Sequence, residues 1–427
     1  MLLDWLGQGL VVLTLAGCVL LIVVTLGLLY LLSLHLALRR ECLAQEARAL
    51  AHPLPPDAAL PHVVVQIPIF NEGALVERAI ASAARFDWPH GKLHIQVCDD
   101  STDETTDLAR AAAQRAGAAG ADVAVIRRPD RSEFKAGNLK NAMAQSDHAY
   151  FAIFDADIVP PPDFLRRCMT VLLAAPELAF VQARPDFLNA DDNALTRAQA
   201  ILLNYHYGFE QATRSWANHV VPFNGSCGVW RRAAIEAGGG WRGDTLLEDW
   251  DLSYRAWMRG WRGTFITSVT AAGELPVTLG AWMLQQRRWA TGGGQVARKV
   301  LLSFRGTRNL SLRDYGNALM PLATWLGYLL FSATLIAGVA AMLLRPSHAG
   351  MLGWTLFAVF TGAAVVLCAL MLVANQTLRR TASVTRIVLD IPIVLLLCLY
   401  ISWANLRSLP GTLLGRPRTF VRTPKRG

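Results

Sequence analysis

The residues best suited to chemistry in this chain are acidic, and they fall where apolar runs end. The run LHIQVC (93–98) passes into Asp99-Asp100-Ser101-Thr102-Asp103, and YFAIFD (150–155) passes into Asp155-Ala156-Asp157. Two carboxylates two residues apart can point at one ion where the chain turns. A hard cation such as Mg2+ or Mn2+ takes such oxygen ligands and shares them with substrate phosphates. Asp-x-Asp alone equally describes a solvated acidic turn, so its surroundings decide. Upstream lies Gln66-Ile67-Pro68-Ile69-Phe70-Asn71-Glu72, in which Pro68 fixes the strand exit and Phe70 is suited to stacking on a base. Lys135-Ala136-Gly137-Asn138 supplies a point charge for phosphate beside a glycine that permits close backbone approach. Leu247-Glu248-Asp249-Trp250-Asp251 opens a helix, where carboxylates also act as caps. Last comes Gln285-Gln286-Arg287-Arg288-Trp289, on a stretch whose Arg and Trp also suit a membrane interface.

Short β-branched runs alternate with Ala-rich helical stretches between about His62 and Gly273. Candidate strands are 62–67, 93–98, 123–126, 150–155 and 178–183. This alternation predicts an α/β domain with a mostly parallel sheet covered on both faces. In such sheets ligands bind beyond the carboxyl ends of the strands, where the acidic turns lie.

The flanks are apolar. Of 427 residues, 53% are hydrophobic and 17% charged, against about 25% charged in a soluble domain, which excludes a disordered chain and argues against a wholly soluble one. Val11 to Leu34 carries no charge and is long enough to cross a bilayer. Asp4 stands before this run without Lys or Arg, which reads as an anchor and not a cleaved leader. Arg39 and Arg40 then place the following domain in the cytosol. Further apolar segments span 318–343, 352–374 and 387–404. The third is short and carries Asp390 and Pro392; it is expected not to cross fully, leaving the basic tail cytosolic. The stretch 276–300 reads as amphipathic and interfacial. The +9 net charge fits an anionic membrane face or substrate; its dispersal argues against nucleic acid. Seven scattered cysteines without C-x-x-C argue against a disulfide framework and a zinc site built on cysteine.

In order, P-x-F-N-E, D-D-S-T, K-A-G-N-L, D-A-D, E-D and Q-x-x-R-W resemble the membrane-bound, processive branch of glycosyltransferase family 2, over residues 60–300. NYHYGFEQ (204–211), FNGSCGVWRR (223–232), LLEDWDLSYRA (246–256) and GELPVTLGAWMLQQRRW (273–289) look closest to cellulose-synthase-like mannan and glucomannan synthases. Leu247 departs from the Thr usual there. The resemblance implies a GT-A (Rossmann-like) cytosolic catalytic domain at 60–273 and α-helical transmembrane segments at 1–40 and 317–406. Residues 274–316 would be interfacial helices, in a multi-pass protein of the inner (plasma) membrane. It implies an inverting transfer of hexose from GDP-mannose or UDP-glucose to a growing β-glycan, or of one hexose to a membrane lipid, with Mg2+ or Mn2+. By the same resemblance, Phe70, Glu72, Asp99 and Asp100 surround the nucleoside, and Lys135 and Arg288 meet the diphosphate. Asp155 and Asp157 hold metal and diphosphate, and Asp249 is the general base. Asn224, Gly225, Ser226, Gln285 and Trp289 line the acceptor. Phe420 to Lys425 in the 407–427 tail is similar to the gating-loop pattern F-x-V-T-x-K of cellulose synthases, with Arg422 where Val is usual.

Overall fold

In the computed structural model, residues 2–304, 311–378 and 384–414 are described; the gating-like motif lies outside them. Seven strands form one sheet: β1 (Val63–Ile69), β2 (Leu93–Asp99), β3 (Asp122–Arg127), β4 (Tyr150–Ile153), β5 (Leu178–Phe187), β6 (Gly228–Arg231) and β7 (Arg262–Gly273). Their order is β3-β2-β1-β4-β6-β5-β7. Only β6 runs antiparallel, to both β4 and β5. All five candidate strands are present; β6 and β7 are additions. Val63, Val65, Ile67 and Ile69 of β1 face one apolar core, and Val64 faces another with Phe151 and Ile153. The period-two alternation of buried strands thus fills both faces of the sheet.

Helices α2 (Leu75–Ala83), α3 (Thr105–Ala118), α4 (Phe134–Met143), α5 (Phe164–Ala174), α8 (Arg232–Ala237) and α9 (Glu248–Trp257) belong to this unit, after the long N-terminal α1 (Leu2–Leu50). Helix α6 (Ala194–Tyr205) passes through a π-helical segment, His206–Gln211, into α7 (Ala212–Trp216). Then come α10 (Leu279–Ser303), α11 (Leu312–Leu344), α12 (Ala349–Thr377) and α13 (Val384–Leu414). All seven cysteines are free thiols.

Among the described residues, four helices are long and apolar enough to cross a membrane: α1, α11, α12 and α13. They carry exposed apolar side chains such as Leu13, Val23, Ile336, Phe357, Val365 and Leu396, surface that water does not favour. The 49 residues of α1 reach about 74 Å, more than twice a hydrocarbon core. Its far end grips the catalytic unit: Glu46 accepts hydrogen bonds from the backbone N–H groups of Thr267 (3.0 Å) and Ser268 (2.8 Å). His35 bonds Thr213 and Thr377, joining α1, α7 and α12.

The expectation that the last apolar segment is short needs correction. Helix α13 is continuous for 31 residues, with Pro392 and Pro410 inside it. Asp390 does not mark its end, because Arg197 of α6 holds both carboxylate oxygens, at 3.0 and 3.2 Å. The two ends of α13 meet different elements: Arg386 stands 3.9 Å from Asp191, between β5 and α6, and Thr412 packs beside Gly294 of α10.

Candidate active site

Phe70, Asp100 and Asp155 each follow the last residue of a parallel strand or its turn, and they open into one cleft at the carboxyl end of the sheet. Glu72, Lys135, Asp157, Gly225, Glu248, Asp249, Gln285, Arg288 and Trp289 complete its wall. Two consecutive left-handed residues, Glu133 (φ 58°) and Phe134 (φ 47°), start α4 and set Lys135. Its ammonium lies 2.6 Å from Asp155 Oδ1 and 2.9 Å from the Gly225 carbonyl. A side chain at Gly137 would collide with the Ser132 carbonyl and Arg128, so the helix can approach the cleft only with glycine there.

The expected residues do not all face the cleft. Asp99 is a correction: it is fully buried, accepts from Thr106 Oγ1 (2.7 Å) and Arg127 (3.1 Å), and ties β2 to β3. Alternation along β2 turns it from the cleft while Asp100 faces in. Ser226 is likewise turned away, with its hydroxyl accepting the Asp155 N–H at 2.9 Å; it shapes the acidic turn. Asp100 lines the cleft with both oxygens held by Arg128, at 2.7 and 2.6 Å. Arg131 was not foreseen. Its guanidinium lies 3.3 Å above the Phe70 ring, a cation–π contact on the face expected to stack a base.

A second cavity, of about 250 Å³, leads from the cleft between α6, the π-helical segment, α10, α11 and α13. Asn224, Leu247, Asp249, Gln285 and Trp289 line both, so the two spaces meet there. Trp250, Trp282, Trp325, Leu202 and Ile401 give the second an apolar wall. His206 bridges Glu210 Oε2 (2.9 Å) and Asn224 Oδ1 (3.2 Å), while Asn224 Nδ2 is buried with no hydrogen-bond partner among the described residues. A histidine and a glutamate inside NYHYGFEQ were the available signal for this pair. π-helical turns recur at functional sites because they re-aim side chains.

Electrostatics single out the E-D pair. Burial, and then the neighbouring Glu248 charge, push Asp249 up to about 8. Burial also raises Glu248, against the pull of Lys135. Burial lowers Arg288, offset by Glu248, Asp155 and Asp249. For Lys135, burial is outweighed by Asp155 and Glu248, which leave it raised and charged. A buried carboxylate poised near neutrality is suited to taking up a proton. Gly225 (φ +79°) makes room for it: a Cβ there would stand 2.9 Å from Asp249 Oδ2 and 3.5 Å from Lys135 Nζ.

Comparison with known proteins covers these same elements. Glucomannan 4-beta-mannosyltransferase 2 of Arabidopsis thaliana is 41% identical over 257 residues, 59% of this chain and 48% of the relative. Probable glucomannan 4-beta-mannosyltransferase 6 of Oryza sativa subsp. japonica is 39% identical over 258 residues, 60% of this chain and 45% of the relative. The chain thus spans about half the length of the curated relatives it matches. Among solved structures, the mannosyltransferase PcManGT from Pyrobaculum calidifontis, in complex with GDP-Man and Mn2+, superposes with a TM-score of 0.54. It is 19% identical and covers 92% of this chain and 100% of its own, a likeness of fold. The model of the family described as "Glycosyltransferase like family 2" matches residues 61–292. That match takes in more than half of the chain, from β1 to the Gln285–Trp289 segment of α10, and the chain therefore belongs to glycosyltransferase family 2.

Proposed function

We propose that this chain transfers hexose, with inversion, from a nucleotide sugar bound in the cleft to a β-glycan lying in the adjoining cavity. The observation that carries this reading is the meeting of a charged cleft and an apolar cavity at Asp249. The acceptor hydroxyl gives its proton to an Asp249 oxygen as its own oxygen attacks the anomeric carbon. The bond from that carbon to the phosphate oxygen breaks, and the nucleoside diphosphate leaves with the electron pair. Lys135 and Arg288 stabilise the charge that develops on it. Trp289 offers a flat apolar face for a sugar ring, and the unpartnered Asn224 Nδ2 a donor for its hydroxyls. Phe70, Glu72 and Asp100 take the nucleoside, for which Arg131 would leave the Phe70 face.

The donor set of Asp155 and Asp157 is all hard oxygen, and both residues line the cleft beside Lys135 and Arg288. These residues suit Mg2+ or Mn2+, which when bound offsets the negative charge of the diphosphate.

Mannose is the favoured sugar, by the names of the mannosyltransferase relatives. Helices α1, α11 and α12 cross the inner membrane in this reading. Helix α13 lies along the cytosolic face, since its start meets Asp191, its end packs on the interfacial α10, and its exposed Val388, Leu389, Leu396, Leu399 and Trp403 share one face. This arrangement leaves the basic tail cytosolic. Leu202, Leu203 and Ile401 in the cavity wall favour a second reading, a single hexose moved to a lipid. Membranes incubated separately with labelled GDP-mannose and UDP-glucose decide: alkali-insoluble polymer supports the first reading, and label confined to a chloroform-extractable lipid the second. Incorporation from neither donor refutes both.

A further inference from the structure

Three of the nine histidines meet at the end of the sheet opposite the cleft. His62 immediately precedes β1, His94 is the second residue of β2, and His148 stands two residues before β4. These strands are neighbours, and their register sets Val64 beside His94 and Val63 beside Tyr150. One ring nitrogen from each histidine lies within 4.8 Å of the others. His62 Nδ1 and His94 Nε2 are 2.9 Å apart, and the His94 and His148 ring centroids are 4.3 Å apart.

Two features set the cluster apart from a chance stack of side chains. Asp122, opposite His94 in the β2–β3 register, stands 2.6 Å from His94 Nδ1. A proton held there leaves the Nε2 lone pair facing the other imidazoles, the arrangement by which a carboxylate supports a metal-bound histidine. The turn carrying His148 is also fixed: Arg232 donates to the carbonyls of His148 (2.8 Å), Met143 (3.2 Å) and Ser146.

We propose that His62, His94 and His148 form a site for a borderline divalent transition ion, Zn2+ first among them, with Asp122 behind His94. Imidazole donors suit such ions and not Mg2+, so this site and the carboxylate pair in the cleft select different metals from one solution. Zn–N bonds of about 2.0–2.1 Å in tetrahedral geometry bring ligand nitrogens to about 3.4 Å from one another. The most distant rings close that gap by turning about their own side-chain bonds. His62 is exposed, which leaves a fourth position to water. The ion staples the amino ends of β1 and β2 to the turn before β4, far from Asp249, and its role is structural.

The test is a titration of untagged, detergent-solubilised full chain with ZnCl2 against a chromophoric zinc chelator, in excess Mg2+. The expected result is one Zn2+ per chain, bound in the presence of the excess Mg2+. His62→Gln, at an exposed position, weakens uptake at least tenfold, and Asp122→Asn weakens it about 10–100-fold. Asp155→Asn, in the cleft, leaves uptake unchanged. Zn2+ raises the apparent Tm of the wild type and not that of His62→Gln. Absence of uptake by the wild type overturns the proposal. So does uptake that His62→Gln and Asp122→Asn leave intact, or that Asp155→Asn abolishes.

Discussion

If Asp249 takes the acceptor proton, transfer must follow its ionisation, and the structure sets where that occurs. With a pKa of about 8 in the free protein, about 1% of molecules carry the basic form at pH 6 and about half at pH 8. The rate constant kcat/KM therefore rises about 50-fold between those values, since it reports the free enzyme's titration. Glu248→Gln removes the second cause of the shift and moves this limb to lower pH, leaving burial, the larger cause, in place. Asp249→Asn keeps the shape and removes the basicity, so transfer falls about 10²–10⁴-fold. Nucleotide-sugar affinity, which the proposed function assigns to Phe70, Lys135 and the acidic turn, changes little. Folding supplies an independent check. A carboxyl group raised by burial contributes stability that is complete below its ordinary pKa and is lost as pH rises through about 8. Asparagine has nothing to ionise, so the variant's apparent Tm gains on the wild type more at pH 8 than at pH 5. Labelled transfer, equilibrium binding and thermal unfolding in detergent measure the three quantities. An acid limb near the ordinary carboxylate value, or near-normal turnover by Asp249→Asn, would refute the reasoning.

Gly225→Ala should fold but lose most turnover, because the new Cβ would crowd Asp249 Oδ2 at 2.9 Å on a backbone at φ +79°; wild-type kcat in this variant refutes the crowding argument. Asp157→Asn should weaken nucleotide-sugar binding as well as turnover, and chelation should abolish transfer until Mg2+ or Mn2+ is restored; full activity in excess chelator refutes the metal assignment. Arg197→Gln leaves the buried Asp390 without its bidentate partner and should cost about 1–3 kcal/mol, less than a fully buried pair because the Arg197 side chain is 25% exposed. Adding Asp390→Asn should recover part of the lost apparent Tm; no recovery refutes the pairing account. Alkaline carbonate should not release the chain from membranes, since apolar burial is insensitive to pH and salt; release refutes the crossing of α1, α11 and α12.

Much of the catalytic unit is legible along the chain because parallel strands buried on both faces must be continuous apolar runs. Their ends are then marked by the first acidic residues, as at Asp99–Asp100 and Asp155. Strand β6, four residues of Gly228–Arg231, is too short to announce itself beside the FNGSCGVWRR motif. In β7 (RGTFITSVTAAG), small and polar residues interrupt the β-branched ones and hide the period. Most cleft residues, Arg131 apart, were legible as motifs, since the diphosphate and metal of the proposed function call for Lys, Arg and paired carboxylates whatever the fold.

Only the tertiary structure decided which of two adjacent carboxylates serves the cleft. Asp99 and Asp100 face Arg127, the last residue of β3, and Arg128 just beyond it, two acids against two bases, and either pairing satisfies the sequence. The pleat turns Asp99 into a buried bridge with Arg127 and leaves Asp100 at the cleft with Arg128. Contacts from elsewhere in the chain likewise hold the remaining answers. Arg197, almost two hundred residues before Asp390, keeps that carboxylate inside a continuous α13, and burial with Glu248 lifts Asp249 toward neutrality. Residue types and short-range periodicity state what each segment can do. Partner, burial and facing direction are properties of the packed chain, because charge and hydrogen-bond energies depend on distances in space that spacing along the sequence does not contain.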